Sequence, residues 1–131
     1  MQVINWRDLP HFNSSFFEKG SAISIGSFDG LHLGHRALLN RLKKKSHALK
    51  LLKGVFTFSI PPRYTLSLQE YKPIFTLRLK KEKLKELGLD FIILVDFSLD
   101  FAKMSGEDFV KLLKRYVNVK YLLVGEDFRF G

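Results

Sequence analysis

Cysteine is missing from all 131 residues of the sequence. Its absence excludes a disulfide framework and every thiolate metal site, and fits a reducing compartment. Long hydrophobic runs are missing too. The longest uninterrupted aliphatic and aromatic run, Phe91 to Val95, is far too short to cross a bilayer, and the opening stretch MQVINWRDLPHF has no positive start followed by an apolar region of the secretory kind. No internal repeat or low-complexity tract appears. These absences lead us to expect a soluble, cytoplasmic protein with no membrane partner. Acidic residues are few, 13 against 22 lysines and arginines, which leaves a net charge of +9. That balance favours polyanionic partners without choosing among nucleic acid, acidic lipid and phosphorylated small molecules. No recognised nucleic-acid motif accompanies it, so a nucleic-acid partner is not expected.

What is present is ample for one packed domain, with 46% hydrophobic and 14% aromatic residues. Ala22 to Ile25 reads as a short buried strand running into a glycine-bracketed turn, Gly26-Ser-Phe-Asp-Gly30. Leu38, Leu39 and Leu42 then fall at helical spacing, predicting a helix over 33–46. Gly54 to Phe58 is the next strand. Ser59 to Pro73 holds three prolines and no sustained period, a connection longer than a compact domain usually keeps without a use for it. Thr76 to Leu87 carries Leu77, Leu79, Leu84 and Leu87 among lysines and ends at Gly88, which suits helix closure. Phe91 to Asp96 is a near-continuous apolar strand of the parallel-sheet kind. Ser105-Gly-Glu-Asp108 has the form of a capping box opening a further helix, and Tyr121 to Val124 is the last strand. The alternation predicts an α/β domain with a parallel sheet of about four or five strands, whose ligands gather beyond the strands' carboxyl ends. The basic runs Arg41, Lys43, Lys44, Lys45 and Arg78, Lys80, Lys81, Lys83, Lys85 are read as solvated helix faces.

The stretch Ile25-Gly-Ser-Phe-Asp-Gly-Leu-His-Leu-Gly-His35 puts three glycines and two histidines at a strand-to-helix junction. Small residues let a ligand approach the backbone, the following helix offers free amides and the positive end of its dipole, and two imidazoles add donors aimed at the same anion. It is neither a Walker loop nor the dinucleotide fingerprint, since no Gly-Lys-Ser/Thr follows and the glycine spacing differs. A plainer reading of the same residues is a tight turn whose histidines only cap or pack. A zinc pair is disfavoured because His11 and His47 look like isolated surface residues and leave no third ligand nearby.

IGSFDGLHLGH resembles the G-x-F-D-G-x-H-x-G-H signature of the nucleotidyltransferase superfamily, in particular the FMN adenylyltransferase domain of bacterial bifunctional riboflavin kinase/FAD synthetases. KEKLKELGLDFIILVDFSLDFAKMSGEDFVKLLK resembles the later helix, strand and helix of that domain, and VGEDFRFG its second signature. The resemblance implies a Rossmann-like, doubly wound parallel sheet and transfer of AMP from ATP to FMN, with Mg2+ as cofactor. It implies that His32 and His35 hold the ATP phosphates and that Gly26, Ser27, Phe28, Asp29, Gly30 and Gly34 shape their pocket. Asp127 and Arg129 fall near the FMN phosphate and the magnesium-nucleotide, with Asp127 as the metal residue. Phe58, Arg63, Phe128 and Phe130 belong to the FMN and nucleotide side, although an aromatic after a buried strand is as often core as flavin contact.

Two departures from the family pattern stand out. Where the family has a T-F-x-P-H-P-like segment, this chain reads Thr57-Phe-Ser-Ile-Pro-Pro-Arg63, with Ser59 and Pro61 in place of the polar pair. The family also continues past R-F-G through a glycine-rich loop to a Ser/Thr-rich element with an arginine, and then to a riboflavin kinase domain. Residues 1–131 are therefore expected to form an incomplete adenylyltransferase domain. Rival readings are a related adenylyl- or cytidylyltransferase with another phosphate acceptor, and a domain that binds nucleotide or flavin without turnover.

Overall fold

The computed structural model describes residues 1–26, 28, 33–58, 77–95 and 103–124, with the backbone alone at 33, 34 and 77. Short runs of five to seven residues, apolar apart from Ser21, Ser24, Lys53 and Thr57, give the central strands β2 (Ser21–Ile25), β3 (Leu52–Phe58) and β4 (Phe91–Val95). Every residue of β2 and β4 is buried, as are the last five of β3. Such runs suit a sheet covered on both faces. Two edge strands complete it: β1 (Gln2–Asn5), which the sequence pattern does not single out because only Ile4 faces the interior, and β5 (Val119–Val124). The order is β1-β4-β3-β2-β5 and every pairing is parallel.

Three helices make the crossovers. α1 (Leu33–Leu49) turns inward on His35, Leu39, Leu42 and Ser46, residues three and four apart that share one face. α2 (Leu77–Glu86) turns inward on Lys80 and Leu84. α3 (Gly106–Val117) opens as its sequence foretells, with the Ser105 hydroxyl accepting from the Asp108 amide at 3.1 Å, and buries Phe109, Leu113 and Val117. Gly88 closes α2 at φ +78°, its amide donating to the Lys85 carbonyl at 2.9 Å. Asn118 ends α3 in the left-handed region at φ 50°, and its side-chain amide donates to the carbonyls of Phe17 and Glu18.

The two faces of the sheet carry separate cores. Ile23, Ile25, Phe56, Phe58, Phe91 and Ile93 pack with α3 and with two 3-10 segments, Trp6–His11 and Ser14–Phe17. Ala22, Val55 and Ile92 pack with Leu39, Leu42 and Leu84 of α1 and α2. This is the expected doubly wound α/β arrangement. The chain steps from β2 to β3 to β4 with α1 and α2 on one face, then returns under α3 to place β5 on the far side of β2. Ligands gather in the crevice beyond the carboxyl ends of the strands where the winding direction reverses, here between β2 and β5.

The basic residues of α1, Arg41, Lys43, Lys44 and Lys45, are exposed as expected. Lys80 is a correction to the solvated-face reading of α2. It is 2% exposed, because a step of four residues back from the buried Leu84 lands on it. Leu87, expected on the apolar side, is exposed instead.

Candidate active site

Ile25 and Val124 are register partners at the carboxyl ends of β2 and β5. The glycine-histidine stretch and the segment beginning Gly125-Glu-Asp127 therefore leave the sheet from neighbouring strand ends, at the reversal of the winding. Ser27, Asp29, Gly30, His32, Arg63, Asp127, Phe128, Arg129 and Phe130 lie outside the described residues, and Gly34 is described only as backbone in the first turn of α1.

The described members of the stretch are tied into the sheet and its core. Gly26 donates its amide to the Phe56 carbonyl at 3.2 Å, which carries the β2–β3 ladder one residue past the strand and commits that N–H to the sheet. Phe28 has φ 53°, a left-handed backbone that a bulky residue rarely adopts, yet its side chain is wholly buried in the core under α1. Strain of this kind costs on the order of 1–3 kcal/mol and persists where surrounding packing over-determines it, most often at functional loops. The Phe28 ring lies 5.2 Å from the imidazole of His35, tilted by 56°. What Phe28 gives the mouth is thus a prop for His35, itself 5% exposed in the first turn of α1. An imidazole set there stands beside the positive end of a seventeen-residue helix.

At the end of β3 the ring of Phe58 is buried on the α3 face, 5.9 Å from Phe56. The part of Phe58 that reaches the sheet's edge is its carbonyl, which accepts from Lys80 Nζ at 3.3 Å. Ser24 and Thr57, both buried, stand on the α1/α2 face of β2 and β3 by strand alternation. His35, Lys80, Ser24 and Thr57 are therefore polar groups enclosed on one face of the sheet. Lys80 escaped the sequence reading because a charge in a lysine-rich helix reads as solvent-facing. The signal that would have found it is its spacing from Leu84. His11 and His47 are exposed, as expected of isolated surface residues. Among the described residues no three histidines, aspartates or glutamates come together as a metal site.

Among the described residues, the junction of β2 and α1 sets the buried His35, with Phe28 against it, at the carboxyl end of β2, next to the end of β5. A family model described as FAD synthetase matches residues 15–131. The chain belongs to the FAD synthetase family. Among curated relatives, a bifunctional riboflavin kinase/FMN adenylyltransferase of Escherichia coli (strain K12) is 37% identical over 116 residues, covering 87% of this chain and 37% of that protein. Its counterpart in Haemophilus influenzae is 34% identical over 121 residues, covering 91% and 39%. A putative bifunctional riboflavin kinase/FMN adenylyltransferase of Geobacillus thermodenitrificans is 33% identical over 112 residues, covering 86% and 61%. This FAD synthetase family chain thus spans less than two thirds of the length of each of these relatives. A solved structure described as a macrolide-efflux protein from Streptococcus pneumoniae superimposes on it with a TM-score of 0.79 at 26% identity, covering 100% of this chain and 43% of that one. Among the described residues no helix is long and apolar enough to cross a membrane.

Proposed function

We propose that this chain is the FMN adenylyltransferase portion of a cytoplasmic protein that also carries a riboflavin kinase domain, and that it transfers AMP from ATP to FMN. The observation that carries this reading is the register pairing of Ile25 with Val124, which starts both signature segments from one point of the sheet. A phosphate oxygen of FMN attacks the α-phosphorus of ATP. The bond from that phosphorus to the α–β bridging oxygen breaks, and pyrophosphate leaves as FAD forms. The nucleophile needs little activation, because a phosphate monoester with a second pKa near about 6 is largely dianionic at neutral pH. That suits a mouth built of donors rather than of paired carboxylates.

The work left to the protein is to bring two polyanions into line and to meet the charge that develops on the bridging oxygen. His35, with His32, donates to the ATP phosphates beside the amino end of α1. Burial raises the strength of such interactions, since charges and dipoles are screened less there than in water. Asp127 is the residue that would hold magnesium, which would neutralise charge on the ATP phosphates. The net charge of +9 helps draw both substrates to the edge.

The test is FAD formation, followed by chromatography, from FMN and magnesium-ATP with the protein that carries this chain. We expect FAD to accumulate. Phosphopantetheine and nicotinamide mononucleotide serve as competing acceptors. Turnover of either in place of FMN would assign another acceptor, and ATP binding without turnover of any acceptor would leave a binding domain.

A further inference from the structure

We infer that the outer face of α1 binds the phosphate backbone of double-stranded DNA without regard to sequence, through Arg41, Lys43, Lys44, Lys45 and Lys50, with Lys120 of β5 beside them. No nucleic-acid motif foretold this surface, and it stands apart from the adenylyltransferase reading.

The helices carry charge in two ways. On α2 and α3 basic residues are matched within the helix: Arg78 meets Glu82 at 3.4 Å, Lys83 meets Glu86 at 3.7 Å and Lys111 meets Glu107 at 3.3 Å. Such pairs are what a solvated helix face ordinarily holds. α1 has no acidic residue along its seventeen. Its five cations at 41, 43, 44, 45 and 50 are all exposed, and among the described residues none of them meets a carboxylate. The patch runs on to β5. Lys45 Nζ stands 5.4 Å over the Tyr121 ring. A Cβ built on Gly20 would meet Lys120 Cγ at 2.9 Å and Leu51 Cδ2 at 3.0 Å, so the exposed Lys120 lies beside the end of α1. Like charges one turn apart repel each other, and an anion laid over them relieves that repulsion.

Place and shape say which anion fits. At a helical rise of about 1.5 Å per residue, Lys43 to Lys50 lie roughly 12 to 22 Å along α1 from His35. Exposed charges are screened within about 8 Å at physiological salt, so these do little for a substrate held at the β2–β5 edge. Successive helical residues turn by about 100°. With Leu42 and Ser46 buried against the sheet, Lys43 and Lys45 leave α1 on opposite flanks and Lys44 stands on its crest. A helix with its side chains is about 10–12 Å across, and the major groove of B-DNA, about 12 Å wide, admits one between its two phosphate rows. Cations on both flanks match those two rows, whereas the major groove of A-form RNA is too narrow for them. An anionic bilayer would instead be met by large apolar side chains that sink into it. The crest offers Ala37, Lys44 and Ala48, and Leu49, the one large apolar residue exposed on α1 among the described side chains, sits at the helix end.

The experiment titrates a fluorescein-labelled duplex DNA of mixed sequence with the protein that carries this chain, followed by fluorescence anisotropy. If about four of the cations meet phosphates, log K falls against log salt with a slope near about −3.6, so affinity should drop roughly 150-fold between about 50 and 200 mM salt. Arg41→Gln, Lys43→Gln and Lys44→Gln together should flatten the slope to about −0.9 and weaken binding at the lower salt at least about tenfold. Lys85→Gln, Lys111→Gln and Lys114→Gln together, an equal change of net charge on exposed residues of α2 and α3, should leave slope and affinity within about twofold. No binding of the duplex at the lower salt would overturn the inference, as would a loss matched by the α2 and α3 variant. Tighter binding to a duplex RNA of equal length, or capture by phosphatidylglycerol vesicles in place of the DNA, would overturn it too. FAD formation falling in step with DNA binding would make these cations part of the substrate site and have the same consequence. Should the triple α1 variant not fold, Lys44→Gln alone decides: a slope lowered by about 0.9 supports the inference and an unaltered slope overturns it.

Discussion

The face of the sheet under α3 and the face under α1 and α2 are filled with different material. Under α3 the core is aromatic: Trp6 stands edge-on to Phe56 at 5.4 Å, Phe109 meets Phe56 at 4.9 Å, and Phe17 meets Phe91 at 5.0 Å. The one polar side chain buried there among the described residues, Ser21, lies at the amino end of β2 and donates its hydroxyl to the Val117 carbonyl at 2.6 Å. Under α1 and α2 the apolar residues are mostly aliphatic, and Ser24, Thr57, His35 and Lys80 are buried with them. One face spends its interior on dispersion and apolar burial, which hold a fold together. The other encloses polar groups among its apolar ones, on the face that carries His35 at the start of α1. Substitutions on the two faces should therefore report on different properties.

Phe109→Ala should have the largest effect, and on stability alone. Emptying a ring from a packed core costs about 3–5 kcal/mol, which we expect to lower the thermal midpoint by roughly 10 °C or more. FAD formation per folded molecule should be unchanged, and a fall in turnover without a fall in midpoint would erase the distinction between the faces. His35→Gln is the counterpart on the other side. Replacing one such donor costs roughly 3–4 kcal/mol in the transition state, a loss of about 100- to 1000-fold in kcat. Calorimetric melting should place its midpoint close to that of the unsubstituted protein. A collapse of stability with kcat intact would make His35 a packing residue.

Gly54→Ala asks how tightly the aromatic face is built. A Cβ at Gly54 would meet the ring of Phe91, its register partner on β4, at 2.3 Å. The ring is held between Phe16 and Phe17 and cannot simply swing away. We expect about 1–3 kcal/mol of destabilisation from overpacking, read from denaturant unfolding. No change would mean that the aromatic cluster yields more readily than its geometry suggests.

The same contrast governs what could be read in the sequence. Period and punctuation carry the central strands and the three helices, because burial on both faces leaves unbroken runs such as Phe91 to Val95, and because Gly88 and Ser105 do at helix ends what their chemistry favours. β1 was not legible: an edge strand that buries only Ile4 has no alternation to detect. Lys80 was not legible for the opposite reason, since residue type argued for solvent and only its four-residue step to Leu84 argued for the core. At the site, the glycine-histidine stretch announces itself by composition, and the structure adds the left-handed Phe28 and its support of His35. Neither could be read from residue type, because both depend on how α1 settles over β2. Ser59 and Pro61, which depart from the family pattern, lie outside the described residues, as does most of the second signature.

The smallest effect, and the one that sharpens the comparison most finely, lies within a single strand. Ser21 and Ser24 are both fully buried in β2 and point to opposite faces. The Ser21 hydroxyl is satisfied by Val117, whereas Ser24 Oγ finds no hydrogen-bond partner among the described residues. Removing a partnered hydroxyl leaves a buried carbonyl unsatisfied, at a cost of about 1–3 kcal/mol, while removing an unpaired one relieves a desolvation cost. Ser21→Ala should therefore lower the unfolding free energy by about 1 kcal/mol or more, and Ser24→Ala should leave it unchanged or raise it by up to about 1 kcal/mol. Chemical denaturation of the two variants side by side reads the difference directly. If Ser24→Ala instead destabilises the protein, its hydroxyl has a partner in solution, and the face under α1 and α2 is a connected polar network rather than a set of separately enclosed groups.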